Sequence, residues 1–177
     1  MYTRKYGRMT CAAWLNDEVG QSSLFCTFFC GIALTVAYFV IRFMAGNPYR
    51  IMLELGISDL MPPVWLFSLL QMFGFLIIGC AAGLVLGWRD SSCAVDKYKG
   101  ALFFVLMAVI ELCWYPTLFG GGLVFLCVLE AVIIVCLALI VALHFFRISA
   151  LSGILLSLHC VWVIYLLIFS CAVFFRN

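Results

Sequence analysis

Charge is what this chain has least of. Ten lysines and arginines and eight aspartates and glutamates make 10% of its 177 residues, while 67% are hydrophobic. Soluble domains carry about 25% charged and about 45–50% apolar residues, so a water-soluble globular domain is excluded. The net charge of +2 is too small to attract a polyanion, and no nucleic-acid partner is expected. Histidines number two, and the apolar runs contain only two acids, Glu111 and Glu130. A GxSxG elbow, a Walker loop, HExxH, a dinucleotide glycine pattern and paired CxxC are all missing. These absences remove the common hydrolase, nucleotide-dependent and zinc-site classes. Proline is scarce as well, and of the four only Pro116 interrupts an apolar run, so helices can run on unbroken.

What is present is long continuous apolar sequence. Five runs, near residues 22–44, 63–88, 100–119, 121–146 and 149–175, each reach the length of about 20 residues that crosses a bilayer as a helix. Barrel strands would instead alternate over stretches of about 10 residues. The fold class expected is therefore all-α and integral to the membrane, a bundle of five transmembrane helices with the lipid bilayer as partner. Residues 1–21 form a polar tail ahead of the membrane domain at 22–177. The first span is too long for a signal-peptide core and no small-residue cleavage site follows it, so the tail is expected to be retained.

Lysine and arginine near the span ends set an orientation. Arg89, Lys97, Lys99 and Arg147 fall on the side of the basic tail, against Arg42, Arg50 and Arg176 on the other. This puts the N-terminus in the cytoplasm. The first connection, residues 45–62, mixes Met52, Leu53 and Ile57 with Arg50, Glu54 and Asp59; it reads either as a lid or as an amphipathic segment on the headgroups. The second, residues 89–99, reads as solvated. Eight of the ten cysteines lie within spans, where they act as small packing residues. Gly74, Gly79 and Gly83 suggest a close helix contact, either to a second copy or within one bundle.

A carboxyl group at membrane depth costs about 2.5–3.5 kcal/mol on insertion scales, so Glu111 and Glu130 should face the bundle interior. Interhelical hydrogen bonding, a polar ligand site and a proton relay are all open to them. Trp114 shares the helical face of Glu111. Trp65, Trp114 and Trp162 lie near span ends, where interfacial anchoring is the ordinary role; together they could equally wall an aromatic pocket. On the second span, Gln71 and Phe75 extend the stripe that Trp65 begins. His159 is a polar pocket group or a haem ligand, and His144 reads as an interfacial residue.

The segments PPVWLFSLLQMFGFLIIG, WYPTLFGG and RISALSGILLSLHCVW, with Glu130 between the last two, resemble the TspO/MBR family. This is the family of tryptophan-rich sensory proteins, whose mitochondrial members are called translocator protein or peripheral benzodiazepine receptor. The resemblance implies a five-helix bundle, commonly a homodimer, with a cavity capped by the first loop. It further implies a receptor, sensor or carrier for porphyrin-type tetrapyrroles or sterols, with no obligatory cofactor and a porphyrin or haem-type ligand. A light-dependent porphyrin-degrading enzyme and a small proton-coupled transporter are the alternatives. A bacterial cell membrane is the location expected. Pro63, Trp65 and Phe67 match the second-span motif; Trp114, Pro116, Phe119 and Gly120 match the third; Glu130 and Trp162 match the fourth and fifth. Departures are Gln71 for tryptophan, Phe75 for tyrosine, Glu111 and Ser170 for asparagines, Leu158-His159 for Pro-Tyr, and Leu166 at a position small in many members. The ligand-binding set expected is thus Pro63, Trp65, Phe67, Gln71, Phe75, Glu111, Trp114, Pro116, Glu130, His159, Trp162, Leu166 and Ser170.

Overall fold

A computed structural model describes residues 20, 22–46, 48–54, 56, 62–89 and 94–176. The tail at 1–19, and residues 47, 55 and 57–61 of the first connection, lie outside the described residues, so the retained tail and the lid rest on sequence alone. Among the described residues the secondary structure is entirely helical: α1 (Leu24–Met44), α2 (Pro48–Glu54), α3 (Val64–Leu86), α4 (Ala94–Phe119), α5 (Val124–Ile148) and α6 (Ala150–Arg176). All but α2 are long and apolar enough to cross a membrane. The five spans therefore stand, with boundaries shifted by a few residues.

The largest shift is at α4, which begins inside the segment expected to be solvated. Asp96 lies in its first turn, where the positive end of the helix dipole favours a carboxylate. The same carboxylate accepts from Arg147 at 3.3 Å and meets His144 Nδ1 at 3.1 Å. His144 stacks on Phe103, ring centroids 6.0 Å apart. This ties the start of α4 to the end of α5 and gives His144 a specific partner beyond a general interfacial place. Lys97 donates to the carbonyl of Trp88 at 3.2 Å, which fastens α4 back to the end of α3.

Packing runs in a ring: α1 lies against α3, α3 against α6, α6 against α5, α5 against α4, and α4 meets α1 again. The seam between α1 and α3 is backbone on backbone. A Cβ added to Gly79 would fall 2.6 Å from Gly31 Cα and 2.7 Å from the Cys30 carbonyl oxygen. One added to Gly83 would fall on Thr27 Cα and 2.5 Å from the Cys26 oxygen. Small residues let membrane helices approach this closely, and the two glycines serve the bundle interior here, not a lipid-facing contact with a second copy. Ser23 caps α1 by accepting from the Cys26 N–H at 3.5 Å, and Gly87 packs over Ser23.

Two short connections fix the other elements. Ser149 alone separates α5 from α6, extended at φ −140 and ψ 122, and its hydroxyl accepts from the Ser152 N–H at 3.3 Å. Between α4 and α5 the Pro116 carbonyl accepts from Gly120 and Gly121 at 2.8 and 3.0 Å. Gly122 then turns the chain at φ +61, a left-handed value that a residue with a Cβ rarely adopts. Ser152 Oγ donates to the Ala81 carbonyl at 2.7 Å, joining α6 to α3.

Candidate functional site

Three helices bring their polar residues to one buried place. Glu111 on α4, Gln71 on α3 and His159 on α6 are all fully or almost fully buried. Glu111 uses both carboxyl oxygens: Gln71 Nε2 donates to Oε1 at 3.4 Å, and His159 Nε2 lies 3.1 Å from Oε2. Gln71 Oε1 in turn accepts from Trp162 Nε1 at 2.8 Å. The result is a continuous line, Trp162 to Gln71 to Glu111 to His159, spanning α6, α3, α4 and α6 again. Between Glu111 and His159 one proton can sit on either group, and the pair is neutral in both arrangements. Such a pair avoids the uncompensated charge that is costly in a low-dielectric interior.

Beside this line lies an aromatic cluster. Phe67 is at its centre, with ring centroids 6.2 Å from Trp114, 6.1 Å from Phe119, 5.6 Å from Trp162 and 6.1 Å from Phe169. Trp114 also reaches Phe119 at 6.3 Å and Phe169 at 6.4 Å, all within the range of favourable ring contacts. These rings fill the space between the helices. The Trp114 indole N–H donates to Ser170 Oγ at 3.1 Å, and Ser170 donates to the Leu166 carbonyl at 2.8 Å. Ser170 is thus the partner that permits an indole to be buried here. Ser170→Ala leaves that N–H unsatisfied and is expected to cost about 1–3 kcal/mol, read as a lower midpoint in thermal unfolding in detergent; an unchanged midpoint would contradict the role.

The expected site residues divide into those brought together and those left apart. Phe67, Gln71, Glu111, Trp114, His159, Trp162, Leu166 and Ser170 meet around the interior of α3, α4 and α6, and Phe75 stacks on Tyr38 at 5.3 Å toward α1. Leu166 is buried in the core and so is not at the surface against a second copy. Trp65 stands apart: it is 68% exposed at the start of α3, beside a hollow shared with Phe39, Arg42 and Met72. The stripe joining Trp65 to Gln71 and Phe75 therefore breaks after Trp65, which occupies the anchoring position. Trp162 lies in the middle of α6 and Trp114 is completely buried, so neither is an end-of-span anchor. Pro63 is exposed before α3, and Pro116 is half-buried within α4.

Glu130 is separate from the Glu111 line. Its Oε1 accepts from Thr117 Oγ1 at 3.1 Å, and its Oε2 is buried without a partner among the described residues. No hydrogen bond described connects the two acids. Thr117 and Phe169 were missed in the sequence. Thr117 carries no local signal, since it meets Glu130 only because the glycine turn folds α5 back on α4. Phe169 was legible as the residue two turns beyond Trp162 on one helical face.

Comparison with curated proteins and with solved structures finds no match. The sequence model of the TspO/MBR family does match, over residues 29–176, from the second turn of α1 to the last residue of α6 and through every member of the buried line and the aromatic cluster. This chain belongs to the TspO/MBR family.

Proposed function

We propose that the protein is a membrane receptor or carrier for porphyrin-type tetrapyrroles, bound between α3, α4 and α6, and that it works as a homodimer in a bacterial cell membrane. The observation that carries this reading is the buried Trp162–Gln71–Glu111–His159 line set against the Phe67–Trp114 cluster. Structural glue is a weak reason for such a line. Interhelical hydrogen bonds in membranes average about 0.6 kcal/mol, so three give about 2 kcal/mol. Inserting the acid costs about 2.5–3.5 kcal/mol. The line roughly offsets its own acid and adds little net stability, so a ligand is the better reason to keep it.

The chemistry suits a tetrapyrrole in two respects: indole and phenyl faces for the macrocycle, and donors and acceptors for its polar edge. In the closed packing the Phe67 ring stands between Trp114 and Trp162, so a flat macrocycle enters only as Phe67 swings aside. Binding is therefore expected to be slow and to quench tryptophan emission. Titration of the protein in lipid nanodiscs with protoporphyrin should give saturable quenching, and Phe67→Ala should speed its onset. Quenching that rises linearly without saturation, as for porphyrin partitioning into lipid, would overturn the proposal.

By the excess of Lys and Arg, the bundle end bearing Arg89, Lys97, Lys99 and Arg147 faces the cytoplasm in this reading. A second copy would dock on a face other than the Gly79–Gly83 seam, which α1 already covers.

A further inference from the structure

Arg42 stands half-buried in the last turn of α1, and among the described residues no carboxylate pairs with it. Arg50, on the same end of the bundle, is held by Glu54 at 2.7 Å. Two hollows meet at the Arg42 side chain. One, of about 230 Å³, lies between α1 and α3 and is walled by Phe39, Trp65, Ser68, Leu69 and Met72; the other, of about 440 Å³, is walled by Phe39, Phe43 and Gly46. Phe39, Phe43, Trp65 and Leu69 are all exposed on the outside of a bundle whose surroundings are lipid. The Ser68 hydroxyl donates to the Val64 carbonyl at 2.7 Å, so the side-chain donors left for a ligand are the Arg42 guanidinium and the Trp65 indole. Toward the core, the guanidinium lies near the buried phenols of Tyr38 and Tyr115, which carry no charge to balance it. The balancing anion has to come from outside the bundle.

We propose that Arg42 and Trp65 form a headgroup site for an anionic phospholipid: the guanidinium takes the phosphodiester, the indole meets the glycerol-ester region, and one acyl chain runs along Phe39, Leu69 and Met72. Charge selects the anion. A half-buried cation with no partner in the protein is neutralised by a lipid of net negative charge, whereas a zwitterionic lipid brings its own cation. A guanidinium binds phosphate oxygens through two parallel N–H bonds. A fatty-acid carboxylate would fit the same fork, but desolvation drives a carboxyl group toward its neutral form, while a phosphodiester stays ionised. Depth agrees with this assignment: Arg42 and Trp65 lie in the last turn of one span and the first turn of the next, the level at which tryptophan meets headgroups. The α1–α3 hollow is smaller than the roughly 300–1,000 Å³ of pockets that enclose a whole drug-sized ligand. It receives a headgroup and the first carbons, and the rest of the chains stay in the bilayer. The site lies on the outer face of α1 and α3, so it stands whether or not a tetrapyrrole binds inside.

Native mass spectrometry of the whole protein, released from detergent after titration with dioleoylphosphatidylglycerol, tests this. The first adduct should form at least tenfold more tightly than with dioleoylphosphatidylcholine or oleate. Arg42→Gln should lower the phosphatidylglycerol affinity at least tenfold, and Arg42→Lys should lower it less, since lysine keeps the charge and loses the fork. Lys99→Gln, at the opposite end of the bundle, should leave it unchanged. Equal binding of phosphatidylcholine or oleate, no effect of Arg42→Gln, or an equal loss in Lys99→Gln would overturn the proposal. So would a tenfold gain in Asp59→Asn, which would make that acid of the first connection, and not a lipid, the partner of Arg42. Where Arg42→Gln fails to fold, the unaltered chain in phosphatidylcholine nanodiscs decides. A small share of phosphatidylglycerol brominated near its headgroup should quench tryptophan emission more than the same share of brominated phosphatidylcholine, and Trp65→Phe should remove the excess. Equal quenching by the two lipids, or an excess that survives Trp65→Phe, means that no anionic lipid gathers at this site.

Discussion

Replacing His159 with leucine is expected to destabilise the folded protein by about 3–5 kcal/mol, the cost of removing one partner from a buried pair. Glu111 would keep only the 3.4 Å contact from Gln71, with its second oxygen sealed in the core. Glu111→Leu combined with His159→Leu should recover part of the loss, since the buried acid goes together with its partner while Gln71 Nε2 loses its acceptor. Reversible unfolding in mixed micelles measures both. The coupling between the two sites is the informative quantity. If the double variant is as unstable as the sum of the singles, the 3.1 Å contact does not hold the pair together, and the line loses its central link.

Gly83→Leu is expected to separate α1 from α3. The Cβ of any larger residue collides with the backbone at Thr27 and Cys26, and backbone cannot swing aside as a flexible side chain does. Overpacking of this kind costs about 1–3 kcal/mol and occasionally more. The whole effect should fall on α1, because only Thr27, Gly31 and Tyr38 are buried along its length and nothing else fastens it so closely. A pair of spin labels on the exposed faces of α1 and α3 should report a longer distance in Gly83→Leu, and a longer one again with Gly79→Leu added. An unchanged distance would mean that the seam is not what seats α1. The buried line among α3, α4 and α6 should survive this change, since no member of it comes from α1.

Some of these features are legible in the sequence. Hydrophobic length and the scarcity of proline give five helices, because backbone groups in hydrocarbon must bond within their own segment. Glu111 and Trp114 fall on one helical face by spacing, and both are fully buried. Trp65 shows the limit of the same reasoning. Six residues separate it from Gln71, which is not a whole number of turns at 3.6 residues each. The Trp65 side chain at the start of α3 turns outward while Gln71 turns in. The early start of α4 escaped because Lys97 and Lys99 look like loop residues; it takes the distant His144 and Arg147 to give Asp96 its partners.

The amino-acid sequence by itself determined the membrane class, the number of spans and the family, since each rests on local composition and on residue order along the chain. Tertiary structure alone decided what the polar residues do. Gln71 and Glu111 are 40 residues apart in the chain, and Glu111 and His159 are 48 apart; only the ring order of the helices brings them within hydrogen-bond distance. It also decided that Gly79 and Gly83 seat α1 and that Trp65 stays outside. Each of these depends on which neighbour a helix face meets, and the periodicity of one helix carries no record of its neighbours.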